Sequence, residues 1–277
     1  MNVIFNADDF GMSKGVNAAI YRAHTEGVLN STSIMINLKH VPEALELAKE
    51  MPSLNIGLHG NLTVGKSLLN PARVSLLVDK NGNFKNSFIK LLWLSIIKPN
   101  MFKYQVRAEI KAQIERARDL GINLSHIDSH HHVHMIPSIF KIFRSLQKEY
   151  GISRIRFVNE NPLRTIKTAE SYEWASDGGL LKSLVLSTCA IINNLLWGFG
   201  TNTYFYSIIH TCKLSRDKFK DISIPGGYDL IEIGIHPGIP EIDKQFANDL
   251  YDNNVLNEYR EKELEALLDP SIIEEFN

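Results

Sequence analysis

Residues 3–11 run Val3-Ile4-Phe5-Asn6-Ala7-Asp8-Asp9-Phe10-Gly11, with Ser13 two positions further on. Val3-Ile4-Phe5 has the character of a buried strand ending at Asn6, and Ser13 offers its hydroxyl as the N-cap of a helix through about Glu26. The same strand-then-helix unit recurs along the chain. Thr32-Ser33-Ile34-Met35-Ile36 precedes a helix over 41–50, and Leu54 to His59 supplies a third strand. Lys103 to Leu120 has helical periodicity through Val106, Ile110, Ile114 and Ala117. Leu124 to Asp128 is a strand, Pro137 opens a helix reaching Tyr150, and Arg154 to Val158 is another strand. Leu230 to Ile235 forms a late strand that ends at His236-Pro237-Gly238, and a charged amphipathic helix over 255–268 follows. Strands alternating with helices imply a parallel sheet. A chain of 277 residues suits an α/β fold of the single-domain parallel β/α barrel type, which needs roughly 250 residues. The expectation is one domain over 1–277. Irregular insertions fall around 64–100, where Asp79-Lys80-Asn81-Gly82-Asn83 marks a turn, and around 159–212. No internal repeat or Pro/Gly/Ser linker divides it.

Composition narrows the function classes. Hydrophobic residues at 44% and charged residues at 22% permit a sizeable core. Thirty Lys and Arg against 31 Asp and Glu leave a formal charge of −1, so no nucleic-acid partner is expected. Cys189 and Cys212 are too few for a disulfide framework and lack metal-site spacing. MNVIF passes straight into NADDFG without a cationic leader, and the expected compartment is the cytoplasm. From Ser183 to Cys212 there is no charged residue. A membrane span needs about 20 predominantly apolar residues, and Ser187, Thr188, Asn193 and Asn194 interrupt this run. The segment is expected to form a buried or interface helix, with a homodimer contact or contact with a membrane surface and a lipid-linked substrate as the open options.

The chemistry gathers at strand ends. Asp8 and Asp9 close the first strand, where successive side chains point to opposite sides, so one can bind a cation while the other acts as a base on water. Residues 125–134, Ser-His-Ile-Asp-Ser-His-His-His-Val-His, hold five of the ten histidines. In extended backbone His126, Asp128 and His130 share one face. Histidine is the commonest metal-binding side chain, and a neighbouring Asp can fix the imidazole tautomer. His132 belongs with the substrate-side or supporting groups, and His131 and His134 are the weakest members. His59 in Gly57-Leu58-His59-Gly60 and His236 in Ile235-His236-Pro237-Gly238 each end another strand. In parallel α/β barrels catalytic groups collect at the C-terminal ends of different strands. Two His with one carboxylate leave coordination positions open for water and substrate.

Together NADDFG, GLHGNLT, HIDSHHHVH and the late IHPG resemble the YdjC-like carbohydrate deacetylase family, which includes chitooligosaccharide deacetylases and hopanoid-associated relatives. The likeness runs to the terminal Tyr259-Arg260-Glu261 and Glu263-Leu264. It implies a distorted, TIM-like barrel similar to polysaccharide deacetylases and removal of an N-acetyl group from an amino sugar. It also implies one divalent ion, magnesium by family likeness, whereas an imidazole-rich site suits zinc. By the same likeness Asp9, His59 and His130 are metal ligands, Asp8 is the base on the attacking water, His236 is the acid on the leaving amine, and Arg156 binds substrate or orients an aspartate. Gly60 departs from relatives that carry a larger residue, which bears on the adjacent pocket wall. Three rivals stand beside this reading. Glycoside hydrolysis needs two carboxylates about 5–9.5 Å apart across a bond, which adjacent Asp8 and Asp9 fit poorly. A metal-dependent phosphoesterase would release phosphate, and a non-catalytic sugar-binding protein would release nothing.

Overall fold

Seven parallel strands lie in the order β5-β4-β3-β2-β1-β7-β6, and the computed structural model describes residues 2–168, 178–220, 222, 225–246 and 250–276. The strands are β1 (Asn2–Phe10), β2 (Ser31–Ile34), β3 (Asn55–Gly60), β4 (His126–Ser129), β5 (Arg154–Ile155), β6 (Thr203–Tyr206) and β7 (Leu230–Ile235). The first helices are α1 (Lys14–Thr25), α2 (Val41–Lys49), α3 (Phe88–Ile97), α4 (Pro99–Asp119) and α5 (Pro137–Glu149). This is the expected α/β architecture, a parallel sheet curled towards a barrel with helices outside it.

Period-two alternation decides what each strand puts on either side. On the outer side of β1, Phe5 meets Phe219 and Phe276 at ring-centroid distances of 6.2 and 5.9 Å. On the inner side, Asn6 and Asp8 meet the polar groups of neighbouring strands. Ser31 Oγ donates to Asn6 Oδ1 at 2.6 Å, and Asn6 Nδ2 donates to Ser33 Oγ at 3.0 Å. Barrel interiors are more often filled by branched aliphatic side chains; this one is polar. Gly57 on β3 makes room for that filling, because a Cβ there would lie 2.4 Å from the His126 ring.

Among the described residues the sheet does not close by backbone pairing, since β5 and β6 are its two edges. Asn159, just after β5, bridges them with its side chain. Its Nδ2 donates to Thr203 O at 3.1 Å and its Oδ1 accepts from Phe205 N–H at 2.8 Å. This amide, its donor and acceptor matching the two groups an edge strand presents, stands in for a strand-to-strand ladder together with Asn161 N–H, which donates to the Tyr204 hydroxyl at 3.1 Å.

Several elements depart from the sequence expectation: β5 stops at Ile155, short of the expected Val158, and the helix expected over 255–268 is a 3-10 turn, Asn253–Leu256, followed by a helix, Tyr259–Leu268. The first strand does not end at Asn6: its pairing with β7 continues to Ala7, and the strand runs on through both aspartates. Within 64–100, the helix α3 occupies the end of the stretch expected to be irregular. Its residues are apolar on every side, so it lacks the 3.6-residue contrast that marks a helix. The uncharged segment holds a second element beyond its helix, the strand β6. Residues 169–177 of the second irregular stretch lie outside the described residues. As expected, Ser13 caps α1, accepting from Val16 N–H at 3.2 Å.

The helix Gly179–Trp197 has the length and composition of a membrane span, yet Leu186, Cys189, Ala190 and Asn193 are buried against the barrel. Asn193 Nδ2 donates to Met135 O at 2.8 Å, and Arg144 Nη1 donates to Trp197 O at 2.6 Å. These polar ties hold it to the rest of the chain.

Candidate active site

Adjacent strand residues should face opposite ways, yet both aspartates serve one site. The reason is a bulge. The β1–β2 register shifts between Ala7 and Phe10, and Asp9 sits at φ 73°, in the left-handed region that Asp tolerates better than most residues. That torsion turns the Asp9 carboxylate towards the end where Asp8 already points. His130 Nδ1 lies 3.1 Å from Asp9 Oδ1 and His59 Nε2 lies 3.6 Å from the same oxygen. Arg260 Nη2 donates to Asp9 Oδ2 at 2.8 Å.

His59 is oriented from behind. Its Nδ1 meets Asp128 Oδ1 at 2.7 Å, so Nε2 is the nitrogen turned to Asp9. Burial alone would lower the His59 pKa, but Asp128, Asp8 and Asp9 outweigh it and raise it to about 9. Burial also opposes ionisation of Asp9, yet His130 and Arg260 hold it well below the ordinary value.

Asp8 belongs to a second arrangement centred on Arg156. The Arg156 guanidinium donates to both Asp8 oxygens at 2.7 and 2.8 Å, to Asp128 Oδ2 at 2.8 Å and to Glu232 Oε1 at 2.7 Å. Arg154 also pairs with Glu232. Arg156 therefore spans three carboxylates and outweighs burial to keep Asp8 ionised. His236 Nε2 lies 3.8 Å from Asp8 Oδ2, and its backbone N–H donates to Glu263 Oε2 at 2.6 Å. Burial lowers the His236 pKa to about 4 despite Asp8 and Asp9, so the ring is neutral at neutral pH.

The histidine run splits by backbone geometry. His130 to Met135 form a 3-10 turn in which His131 and His132 both have positive φ, 55° and 52°. The turn directs His130 to Asp9 and leaves His131 exposed. His132 lies edge-on to Phe205 at 5.7 Å, away from the Asp9 cluster. His134 is a supporting group, with Nδ1 at 2.7 Å from Ser129 Oγ and Nε2 at 3.1 Å from Arg156 O. His126 lies inside the barrel between Ser33 Oγ at 3.0 Å and Ser125 Oγ at 2.9 Å. Burial lowers its pKa to about 4, and its ring supports the interior instead of joining the cluster. Gly60 does not line the site: on the outer side of β3, a Cβ there would lie 2.7 Å from Phe143 Cζ.

Asp9, His59 and His130, all buried, bring potential ligand atoms within 4.8 Å of one another. His130 Nε2 is buried with no hydrogen-bond partner. A carboxylate, an oriented imidazole and a second imidazole with an unsatisfied nitrogen form a donor set that can hold a divalent cation. Asp8, His59 and Asp128 also cluster, but Arg156 already occupies both of those carboxylates.

The YdjC-like protein family model matches residues 2–277. The chain belongs to the YdjC-like family. Among its YdjC-like relatives, a protein named carbohydrate deacetylase from Thermoanaerobacter pseudethanolicus is 35% identical over 193 residues, covering 67% of this chain and 74% of the relative. One of the same name from Vibrio cholerae serotype O1 is 31% identical over 242 residues, 86% of this chain and 78% of the relative. In fold, this YdjC-like chain is similar to an Enterococcus faecalis protein whose crystal structure describes it as a candidate cellobiose-phosphate cleavage protein. The TM-score is 0.68 at 24% identity, covering 99% of this chain and 93% of that one.

Sequence reasoning missed the roles of four residues at this YdjC-like site. Glu232 was legible in principle, as a lone charge inside the apolar run 230–235. Arg260 and Glu263 stand in the terminal pattern that carries the family likeness, but their roles have no local signal, because their partners Asp9 and His236 lie 251 and 27 residues away. Lys182, in the first turn of the helix Gly179–Trp197, donates to Thr211 Oγ1 at 3.2 Å. Burial lowers its pKa, and the nearby Asp8 and Asp9 charges act against that.

Proposed function

We propose that this chain is a metal-dependent hydrolase that removes the N-acetyl group from an amino sugar within an oligosaccharide or glycolipid. The observation that carries the proposal is the adjacency of two arrangements, the Asp9–His59–His130 donor set and the Asp8–His236 pair 3.8 Å apart. The curated relatives named carbohydrate deacetylase support the same reaction class.

Asp9, His59 and His130 would hold the ion, magnesium by family likeness or zinc by the imidazole content of the set. When bound, a divalent ion polarises the acetamide carbonyl and makes water a better nucleophile. Asp8, kept ionised by Arg156, accepts the proton of the attacking water. The neutral His236 stands next to Asp8, so the proton taken from water can pass to its ring. His236 then delivers it to the departing nitrogen, which leaves poorly unless protonated. Asp128 holds the His59 tautomer and Arg260 holds Asp9.

The test is incubation with diacetylchitobiose and other N-acetylated glycans, with added magnesium or zinc, reading acetate and free amine by mass spectrometry. Activity should vanish in excess chelator and return with a divalent ion. Full deacetylation by protein whose metal content is confirmed as zero would refute the metal-dependent reading.

A further inference from the structure

The helix Gly179–Trp197 is apolar on its outer face as well as its inner one, whereas a helix beside water keeps its apolar stripe towards the core. Leu186, Cys189 and Ala190 share its buried side with Ser183 and Asn193, while Leu181, Leu184, Ile191 and Leu195 face outward, Leu195 being 80% exposed. The helix α3 repeats the pattern. Ile89, Trp93 and Ile96, spaced i, i+4 and i+7, form an outward stripe with Ile89 77% exposed, whereas Leu91 and Leu94 point inward. Met101 and Tyr104 continue that exposed stripe into α4. Both helices pack against the 3-10 turn His130–Met135, so the two apolar faces flank the turn that carries His130.

Charge distinguishes the occupant. Residues 80–108 contain Lys80, Lys85, Lys90, Lys98, Lys103 and Arg107 and no Asp or Glu. Lys85 pairs with Asp79 at 3.1 Å and Arg107 pairs with Glu149. Lys80, Lys90, Lys98 and Lys103 are exposed and have no acidic partner among the described residues. An exposed apolar stripe bearing a Trp and bordered by unpaired lysines matches the interface of an anionic bilayer. A second copy of the chain is less suitable, because a twofold contact would set the lysine group against itself.

We propose that this face, built from α3, the start of α4 and the helix Gly179–Trp197, docks on an anionic lipid bilayer and brings the mouth of the site to the membrane surface. The substrate would then be an amino sugar carried on a lipid, a choice that rests on the deacetylase reading; the docking itself does not. Apolar side chains enter the headgroup boundary while the lysines meet lipid phosphates. The polar ties of Asn193 and Arg144 keep the helix Gly179–Trp197 on the barrel, so the protein lies on the membrane without spanning it.

Co-sedimentation of the full chain with vesicles tests this directly, without turnover. Vesicles of phosphatidylcholine with phosphatidylglycerol should bind the protein, pure phosphatidylcholine should bind it far less, and raised salt should release it. Replacing Lys90, Lys98 and Lys103 by Gln should weaken binding about fivefold per lysine. Ile89→Ser with Trp93→Ser should weaken it about tenfold or more, and Leu195→Ser should act in the same direction. The same variants should deacetylate diacetylchitobiose at the unmodified rate and lose turnover of a vesicle-borne N-acetylated glycolipid. Failure to bind anionic vesicles at low salt, binding that these substitutions leave unchanged, or a solution dimer that they dissociate would each overturn the docking proposal. Absence of deacetylation by a protein that does bind vesicles would instead overturn the reaction.

Discussion

Replacing Arg156 by Met tests whether the barrel interior is held by its central cation. The guanidinium lies 5.0 Å from the Phe205 ring centroid and donates to Asp8, Asp128 and Glu232 at 2.7–2.8 Å. All four residues are buried. Met fills much of the volume but leaves three carboxylates facing one another, with Arg154 and His59 as the remaining nearby cations. Stripping one partner from a buried ion pair costs about 3–5 kcal/mol, a large share of the roughly 5–15 kcal/mol that holds a domain folded. We expect that loss at pH 8. With Arg156 gone, burial lifts the carboxyl pKa values in the folded state above their unfolded values, so the folded chain binds more protons. Stability should then fall as pH rises and recover as pH is lowered. Urea unfolding of Arg156→Met at pH 8 and pH 5, alongside Arg156→Lys, measures both effects. Arg156→Lys keeps the charge but cannot reproduce the planar fork, so it should fall between Met and the unmodified chain. A loss below about 1 kcal/mol at pH 8, or an equal loss at both pH values, would show that Arg156 does not organise the interior.

Other perturbations separate the remaining parts. Asp8→Asn should retain the metal and lower turnover by about 10²–10⁴, whereas Asp9→Asn should lose metal; metal analysis with the opposite pattern reverses the two roles. Gly57→Ala should destabilise by about 1–3 kcal/mol, since the new Cβ would lie 2.4 Å from the His126 ring, and an unchanged melting curve would show that the interior yields freely. Burial raises the buried Glu160 carboxyl from its ordinary 4.5 to about 7 despite hydrogen bonds from Thr165 and Ile208. Its folded pKa exceeds the unfolded one, so stability is lost as pH rises from about 4.5 to 7, by roughly 3 kcal/mol. Glu160→Gln should flatten that slope in denaturant titrations taken at several pH values, and a slope identical to that of the unmodified protein counts against the assignment.

The fold was legible where polar and apolar residues contrast. Val3-Ile4-Phe5 followed by Ser13, and the repeat of that unit, were enough for a parallel β/α architecture. His59, Asp128 and His130 were visible as polar residues at the ends of apolar strands. What stayed hidden lacked contrast or was distant. The strand β6 follows a long apolar helix with no charge to separate them, so Thr203–Tyr206 merged into the uncharged run. The joint use of Asp8 and Asp9 depends on one backbone torsion at Asp9, which strand alternation taken alone forbids. The division of the histidine run depends on left-handed His131 and His132, which extended-strand reasoning does not foresee. Arg260 was visible in the Tyr259-Arg260-Glu261 pattern, but its reach to Asp9 from the far end of the chain was not.

The Asn159 bridge has a mechanical consequence. Elsewhere in the sheet, each strand is fastened to its neighbours by backbone bonds that must break together, but among the described residues the segment after β5 is tied to β6 by the two bonds of the Asn159 side chain and by Asn161 N–H donating to the Tyr204 hydroxyl at 3.1 Å. Opening the cylinder therefore costs least along that line, and β6 can peel back while the β1–β7 pairing stays intact. The Phe205 amide should exchange its hydrogen sooner than the amides of β1 and β7, as in the low-energy openings of other folds. Arg156 and Phe205 face each other across this seam, so its parting would expose the guanidinium that steadies Asp8. The barrel would lose the alignment of Asp8 before it lost its strands.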